Sequence, residues 1–328
     1  MVLREGRWLA SLIGFGRGAA VAGIVVLAVS GCATSTSPDV ARATSPLASP
    51  TSAPASVPTS PAPTSARSGA VTKVLVFIEE NHSLSEMRSG MPYAFGLASR
   101  FGYATGYTSI GHPSLPNYVA IAGGQTYGIT DDAQPSHNPI AGTSVFGQAL
   151  ASGKTAAVYA DGMPQSCATN NGGSGYAVRH NPWAYFINER DICQRYDVPV
   201  DRLSMAVDRG VLPNVGMVIP NVCNDAHGCP LAMADAWFKG WMSRIFDGPD
   251  WRSGHLAVVL TADEGDRSSE RNEVLTVVIH PSQHANVVTA PLTHYSLTRL
   301  FEEVAGTPFL FKAASAPSMA EAFGLPTR

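Results

Sequence analysis

The chain predicts an α/β fold with a mainly parallel central sheet and helices on both faces, and three observations carry that prediction. Five short runs are apolar nearly throughout instead of alternating: residues 71–78, 156–159, 215–219, 256–261 and 274–279. Strands buried on both faces read this way, and parallel sheets are built from them. Stretches with helical spacing lie between these runs, at 144–151, 230–246 and 296–304, and strand–helix alternation is the pattern of a parallel sheet. Polar and acidic residues gather directly after three of the runs, where open α/β sheets bind their ligands.

The N-terminus comes first in order. Arg4, Arg7 and Arg17 precede an apolar stretch at 19–30. A charged segment followed by a short apolar one reads as a signal peptide, too short for a spanning helix. It ends Leu27-Ala28-Val29-Ser30-Gly31-Cys32, which resembles the bacterial lipobox, whose cysteine is lipidated and becomes N-terminal. The expectation is an exported lipoprotein on the outer face of the cell membrane, held by a lipid on Cys32, with a fraction released. Plain secretion with a chance cysteine is the alternative. Residues 32–70 are mostly Ala, Ser, Thr and Pro with almost no charge, the composition of an extended linker. The catalytic domain is expected over 71–328.

The whole chain is 45% hydrophobic and has 5 Trp, 10 Tyr and 12 Phe, which excludes a disordered protein. Lys and Arg number 22 against 25 Asp and Glu, a net charge of −3. A nucleic-acid binder working through a basic face is therefore excluded. Besides Cys32 there are four cysteines, 167, 193, 223 and 229. An even set in an exported chain reads as two disulfides. The local pairing is Cys167–Cys193 with Cys223–Cys229. Other pairings stay open, and a zinc knuckle is the rival, although no CxxC is present.

The run at 71–78 stops at Glu79-Glu80-Asn81, that at 215–219 leads to Asn221, Asn224, Asp225 and His227, and that at 256–261 ends in Asp263-Glu264-Gly265-Asp266. Carboxylates from three strand ends on one sheet edge repel unless a cation neutralises them. Glu80, Asp225, His227, Asp263 and Glu264 are the candidates. Glu79 and Asp266 read as solvated turn residues, and His137, His255, His280 and His284 as structural. Ser114 stands between Pro113 and Leu115-Pro116 at the start of a helix-like run. Backbone N–H groups and the positive helix end there stabilise an alkoxide or a phosphoryl oxygen. A plain N-cap is the alternative.

Ser114-Leu115-Pro116-Asn117-Tyr118 with Ala122-Gly123 resembles the nucleophile helix of the alkaline phosphatase superfamily. More closely, the chain resembles the bacterial phosphoesterase family of acid phosphatases and phospholipases C, with the secreted acid phosphatases as the nearest branch. The resemblance rests on Glu79-Glu80-Asn81, His112-Pro113-Ser114, Arg179-His180-x-Pro182-Trp183, Ile219-Pro220-Asn221-x-x-Asn224-Asp225-x-His227, Asp235-Ala236-Trp237, Asp263-Glu264 and His294-Tyr295-Ser296-Leu297, from about Val71 to about Gly324. It implies an alkaline-phosphatase-like fold and a metal-dependent acid phosphatase acting through a phosphoserine. A phospholipase C or other phosphodiesterase with the same nucleophile is the alternative, and the substrate is a phosphorylated small molecule or lipid headgroup. It also implies roles. Ser114 is nucleophile and metal ligand, and Glu80, Asn81, Asp225, Asp263, Glu264 and His294 are ligands. His112, His180 or His227 supplies the leaving-group proton, and His180 touches phosphate or is structural. The set is oxygen-rich, so one or two Ca²⁺, Mg²⁺ or Mn²⁺ ions are expected over Zn²⁺.

Overall fold

The computed structural model describes residues 69–267 and 271–327. The expected signal peptide and nearly all of the expected linker lie outside the described residues. The strands are β1 (Lys73–Glu79), β2 (Gly102–Ala104), β3 (Tyr107–Thr108), β4 (Ala156–Ala160), β5 (Asp197–Pro199), β6 (Val215–Ile219), β7 (Leu256–Ala262), β8 (Thr276–Ile279), β9 (Asn286–Val288) and β10 (Leu292–Thr293). Eight of them form one sheet in the order β5-β4-β6-β1-β7-β8-β2-β9, and β3 pairs with β10 apart from it. The pairs from β5 through β7 are parallel, whereas β8 runs antiparallel to both β7 and β2. The run expected at 274–279 is thus the one long apolar run that reverses direction. Every residue of β6, β7 and β8 is buried, as is all of β1 except Lys73.

The helices are α1 (Leu84–Gly90), α2 (Pro92–Arg100), α3 (Ser114–Gly123), α4 (Val145–Ala151), α5 (Arg190–Tyr196), α6 (Asp201–Arg209), α7 (Leu231–Asp247), α8 (Pro249–Arg252), α9 (His294–Ala305) and α10 (Met319–Phe323). They pack in two groups, α3, α4 and α10 around α9, and α1, α2, α6 and α8 around α7. Phe77 of β1 meets Trp237 and Phe238 of α7 edge-on, at 6.1 and 5.2 Å between ring centroids. Asp235 of α7 is buried and accepts from the N–H groups of Tyr93 and Ala94 at 2.9 and 2.8 Å. It thereby caps the first turn of α2, which has no side-chain cap of its own. Glu189 does similar work elsewhere, accepting from Ser144 and from Trp183 Nε1. These two contacts account for the Asp235 and Trp183 motifs as structural. Cys167 is bonded to Cys193 and Cys223 to Cys229, the local pairing. Among the described residues no helix is long and apolar enough to cross a membrane.

Candidate active site

The sheet order makes β6, β1 and β7 neighbours, so the three acidic strand ends meet. At the end of β1 the backbone turns at Asn81, whose φ of 55° lies in the left-handed region. The next contacts knit the three ends together. Glu80 N–H donates to Asp225 O at 2.9 Å, Asp263 N–H to Glu79 O at 3.0 Å, and Asn81 N–H to Asp263 Oδ1 at 3.1 Å. The loop after β6 is shaped by Asn221, whose Oδ1 accepts from the N–H groups of Cys223 and Asn224, an Asx-type turn. Ala226 in the same loop has φ 68°, a strained conformation for a non-glycine residue. The Cys223–Cys229 bond closes this loop around Asp225 and His227.

Ser114 opens α3 and is buried, with its hydroxyl in hydrogen-bonding reach of Glu80. Pro113 gives α3 no side-chain cap. Asp132, reaching across from another loop, accepts from Leu115 N–H at 2.9 Å in its place. Asn117 fixes the approach to the serine. Its Oδ1 accepts from Ile110 and Gly111 N–H, and its Nδ2 donates to Gly111 O, Pro113 O and Glu264 Oε2. At the far end Gly124 takes φ 69°, and a Cβ there would lie 2.5 Å from Leu310 O. Only glycine fits that close.

Histidines fill the ring. His180 is 1% exposed, stacked on Tyr118 with centroids 5.2 Å apart. Its Nε2 lies 2.8 Å from Glu80 Oε1 and its Nδ1 3.0 Å from Asp225 Oδ2. These contacts are short, yet neither is aligned as a hydrogen bond. His227 Nδ1 contacts Glu80 Oε2, and Arg179 Nη2 lies 3.2 Å from His227 Nε2. His112 Nδ1 lies 3.1 Å from Glu264 Oε2. The ring opens on a cleft of about 580 Å³ lined by Asn81, Ser114, Asp132, Arg179, His227, Glu264 and Arg267, among others.

The electrostatics are those of crowded acids. Burial opposes ionisation of Glu80, but His180 and its hydrogen bonds hold that carboxyl well below its usual range. Burial and the Glu80 charge push neighbouring Asp263 well above its own. Burial raises Asp225 and lifts Glu264 to about 7 against the pull of His112. His180 rises to about 9 because Glu80 and Asp225 outweigh its burial.

Glu80, Asn81, His112, Ser114, His180, Asp225, His227, Asp263 and Glu264 therefore come together around one opening. Two expectations are corrected. His294, expected as a ligand, has Nε2 on Asp263 O and Nδ1 3.0 Å from Tyr107 OH. Burial lowers it to about 4, which makes it a neutral core histidine. Glu79 is no turn residue: it is fully buried, and burial with the Asp225 and Asp235 charges raises its carboxyl strongly. His180, expected either to touch phosphate or to be structural, is buried between the Glu80 and Asp225 carboxylates. Glu80, His180 and His227 bring possible ligand atoms within 4.8 Å of one another. Sequence reasoning assigned no role to Arg179, Asp132 or Arg267, and it quoted Asn117 in a motif without its grip on the loop before the serine. Of the first three, only Arg179 carried a signal, its place beside His180 in a motif.

A parallel-cored α/β sheet with a serine-headed helix over a ring of carboxylates defines a hydrolase of the alkaline phosphatase fold. A solved protein of the alkaline phosphatase superfamily from Vibrio parahaemolyticus shares it, with TM-score 0.53 at 10% identity over 78% of this chain and 72% of that one. The phosphoesterase family model matches residues 87–306, and the chain belongs to that family of phosphoric ester hydrolases. It is 29% identical over 254 residues to a phosphatidylinositol-3-phosphatase of Mycobacterium tuberculosis, covering 76% of this chain and 82% of the relative. A phosphate-repressible acid phosphatase of Penicillium chrysogenum is 28% identical over 220 residues, covering 63% of this chain and 52% of the relative.

Proposed function

We propose that the protein is a metal-dependent acid phosphatase that cleaves phosphate monoesters through a phosphoserine on Ser114. The observation that carries this reading is the position of Ser114. It heads α3, touches Glu80, and faces a cleft that also presents Arg179 and Arg267. The buried atoms Glu80 Oε1, Asp225 Oδ2 and Asp263 Oδ2 lack hydrogen-bond partners, so a cation fits the ring. Glu80 and Asp263 would hold it with Asn81, Ser114, Glu264 and the His180 and His227 nitrogens at hand. Imidazoles beside carboxylates favour an ion that accepts both donor types, such as Mn²⁺, Fe²⁺ or Zn²⁺. When bound, such an ion neutralises phosphoryl charge and lowers the pKa of a nearby hydroxyl.

Arg179 and Arg267 orient the phosphoryl oxygens, and the α3 N-terminus adds its amide field. Ser114 Oγ passes its proton to Glu80, attacks phosphorus as the bond to the leaving oxygen breaks, and recovers a proton from Glu80 when it is later displaced. His227 lines the cleft and is in place to protonate the departing alkoxide. Water then displaces Ser114 from phosphorus, with His227 now taking the proton. Asp225 and His180 hold Glu80 and His227 in place. Substrates are phosphorylated small molecules or lipid headgroups, a scope supported by the similarity to a phosphatidylinositol-3-phosphatase and an acid phosphatase.

Export and a lipid on Cys32 belong to the same proposal. The two disulfides support an oxidising compartment. Globomycin-sensitive processing and partition into detergent are expected, and a soluble, unmodified form would refute the anchor. For the chemistry, acid quench with ³²P-labelled monoester should trap phosphate on Ser114. An unlabelled enzyme that still turns over would replace the serine by water as nucleophile.

A further inference from the structure

A second cleft adjoins the first and shares Pro113 and Arg267 with it as walls. Its volume is about 600 Å³, and Ser109, His112, Arg271 and Asn272 complete the lining that matters here. The walls are tied together. Asn272, at φ 53°, accepts from Gly265 N–H at 2.7 Å and donates to Gly111 O at 3.2 Å. Ser109 N–H donates to Asn272 O at 3.0 Å. The loop after β7 is thereby fastened to the loop before α3, and the cleft between them is held open by hydrogen bonds.

Its chemistry is that of an anion subsite. Two guanidiniums, one imidazole and a buried Ser109 hydroxyl without a hydrogen-bond partner line it. The guanidiniums can only donate. Glu273 lies 3.6 Å from Arg271, whose side chain is 82% exposed. A loose, solvated pair like this holds little energy, so an oxyanion competes for the guanidinium. His112 is already turned by Nδ1 toward Glu264, which fixes the plane of its ring at the boundary of the two clefts.

We propose that this cleft binds a second anionic group on the same substrate molecule, so that preferred substrates carry another phosphate or carboxylate near the scissile monoester. The proposal rests on reading the first cleft as the phosphatase site. Because the two clefts share a wall, one small molecule spans both. Arg267 then serves both groups, and Arg271 with Ser109 serves only the second.

The test compares inositol 3-phosphate with inositol 1,3-bisphosphate and fructose 6-phosphate with fructose 1,6-bisphosphate, using p-nitrophenyl phosphate as baseline and the full, metal-loaded chain. In at least one pair the bisphosphate should show kcat/KM about five- to tenfold higher, through a lower KM, as one charge-assisted contact provides. Arg271→Gln should abolish that advantage while leaving p-nitrophenyl phosphate turnover unchanged, and Ser109→Ala should reduce it. Equal kcat/KM within both pairs, or an advantage that survives Arg271→Gln, overturns the subsite. Hydrolysis of none of the five compounds overturns the phosphatase reading beneath it, a different result.

Discussion

Two clusters of acidic and ligand-type side chains hang from one sheet, one fully buried and one opening through His227 on the cleft, and they behave differently. One gathers Glu80, His180 and His227 at the ends of the central strands, and the other gathers Asp197, Cys167 and Cys193 at edge strand β5. Both bring their ligand atoms within 4.8 Å. Around Asp197 the demands are met. Asn181 Nδ2 reaches both carboxyl oxygens at 3.0 and 2.9 Å, and the two sulfurs are spent on each other. Burial then lifts Asp197 to about 8, so the acid keeps a proton and stays neutral. Around Glu80 three carboxylates crowd together with one buried imidazole, His180, between Glu80 and Asp225, and Asp263 Oδ2 lacks a hydrogen-bond partner. Convergence alone therefore does not make a metal site. Surplus negative charge and unfilled lone pairs do, because a buried carboxylate with neither proton nor partner is costly.

Removing the proposed nucleophile should separate the clusters most. Ser114→Ala opens almost no cavity, so the fold should persist while kcat falls on the order of 10³-fold. Near-normal phosphomonoester turnover in that variant would break the comparison at its root. Next come the carboxylates. Glu80→Gln and Asp263→Asn should each lower activity about 10²-fold, with partial recovery in excess metal, since such groups set metal affinity. Asp197→Asn should leave kcat/KM unchanged, and a metal-rescuable loss there would put the ion in the wrong cluster. Chelation is a milder probe. An ion at 100 times its Kd stabilises the native state by about 2.7 kcal/mol, so stripping it should lower Tm, and the Glu80→Gln protein should show a smaller drop. A Tm indifferent to chelator and to added metal would empty the ring of its proposed occupant.

The smallest effect is the pH dependence contributed by Asp197. Its native value is about 8 against 3.8 for the unconstrained side chain. The native state therefore holds a proton that the unfolded state has released between those values. Stability from this group is complete below about pH 4 and is lost as pH rises toward 8. Denaturant titrations at pH 5 and pH 8 should show a wild-type loss on the order of 4 kcal/mol that Asp197→Asn removes. Parallel wild-type and variant curves would show the acid to be ionised throughout.

Much of the ring was legible beforehand because burial leaves a local trace. An apolar run that stops at Glu80, or one that stops at Asp263, announces both a strand and the acid at its end. The run expected at 215–219 coincides with β6. Ser114 and Asn117 stood out by their proline-bracketed setting, though only the structure shows Asn117 gripping the loop before the serine. Asp132 left no trace. It caps α3 from 17 residues away, and no periodicity marks such a partner. Arg179 sits among short 3₁₀ turns, where residue spacing carries no face information.

The sequence by itself determined what depends on local pattern: the five long apolar strands, their alternation with helices, the acids at their ends and the serine that heads a helix, while the short strands β2, β3, β5, β9 and β10 carried no such pattern. The tertiary structure decided what depends on long-range pairing. It placed β6, β1 and β7 side by side, turned β8 antiparallel, sank Glu79 and His180 out of water, and pointed both nitrogens of His294 at Asp263 O and Tyr107 OH rather than at the ring. The physical reason is that apolar spacing reports whether a residue is buried but not against what. A histidine or glutamate becomes ligand, proton carrier or core filler according to the neighbours that folding brings within about 3 Å.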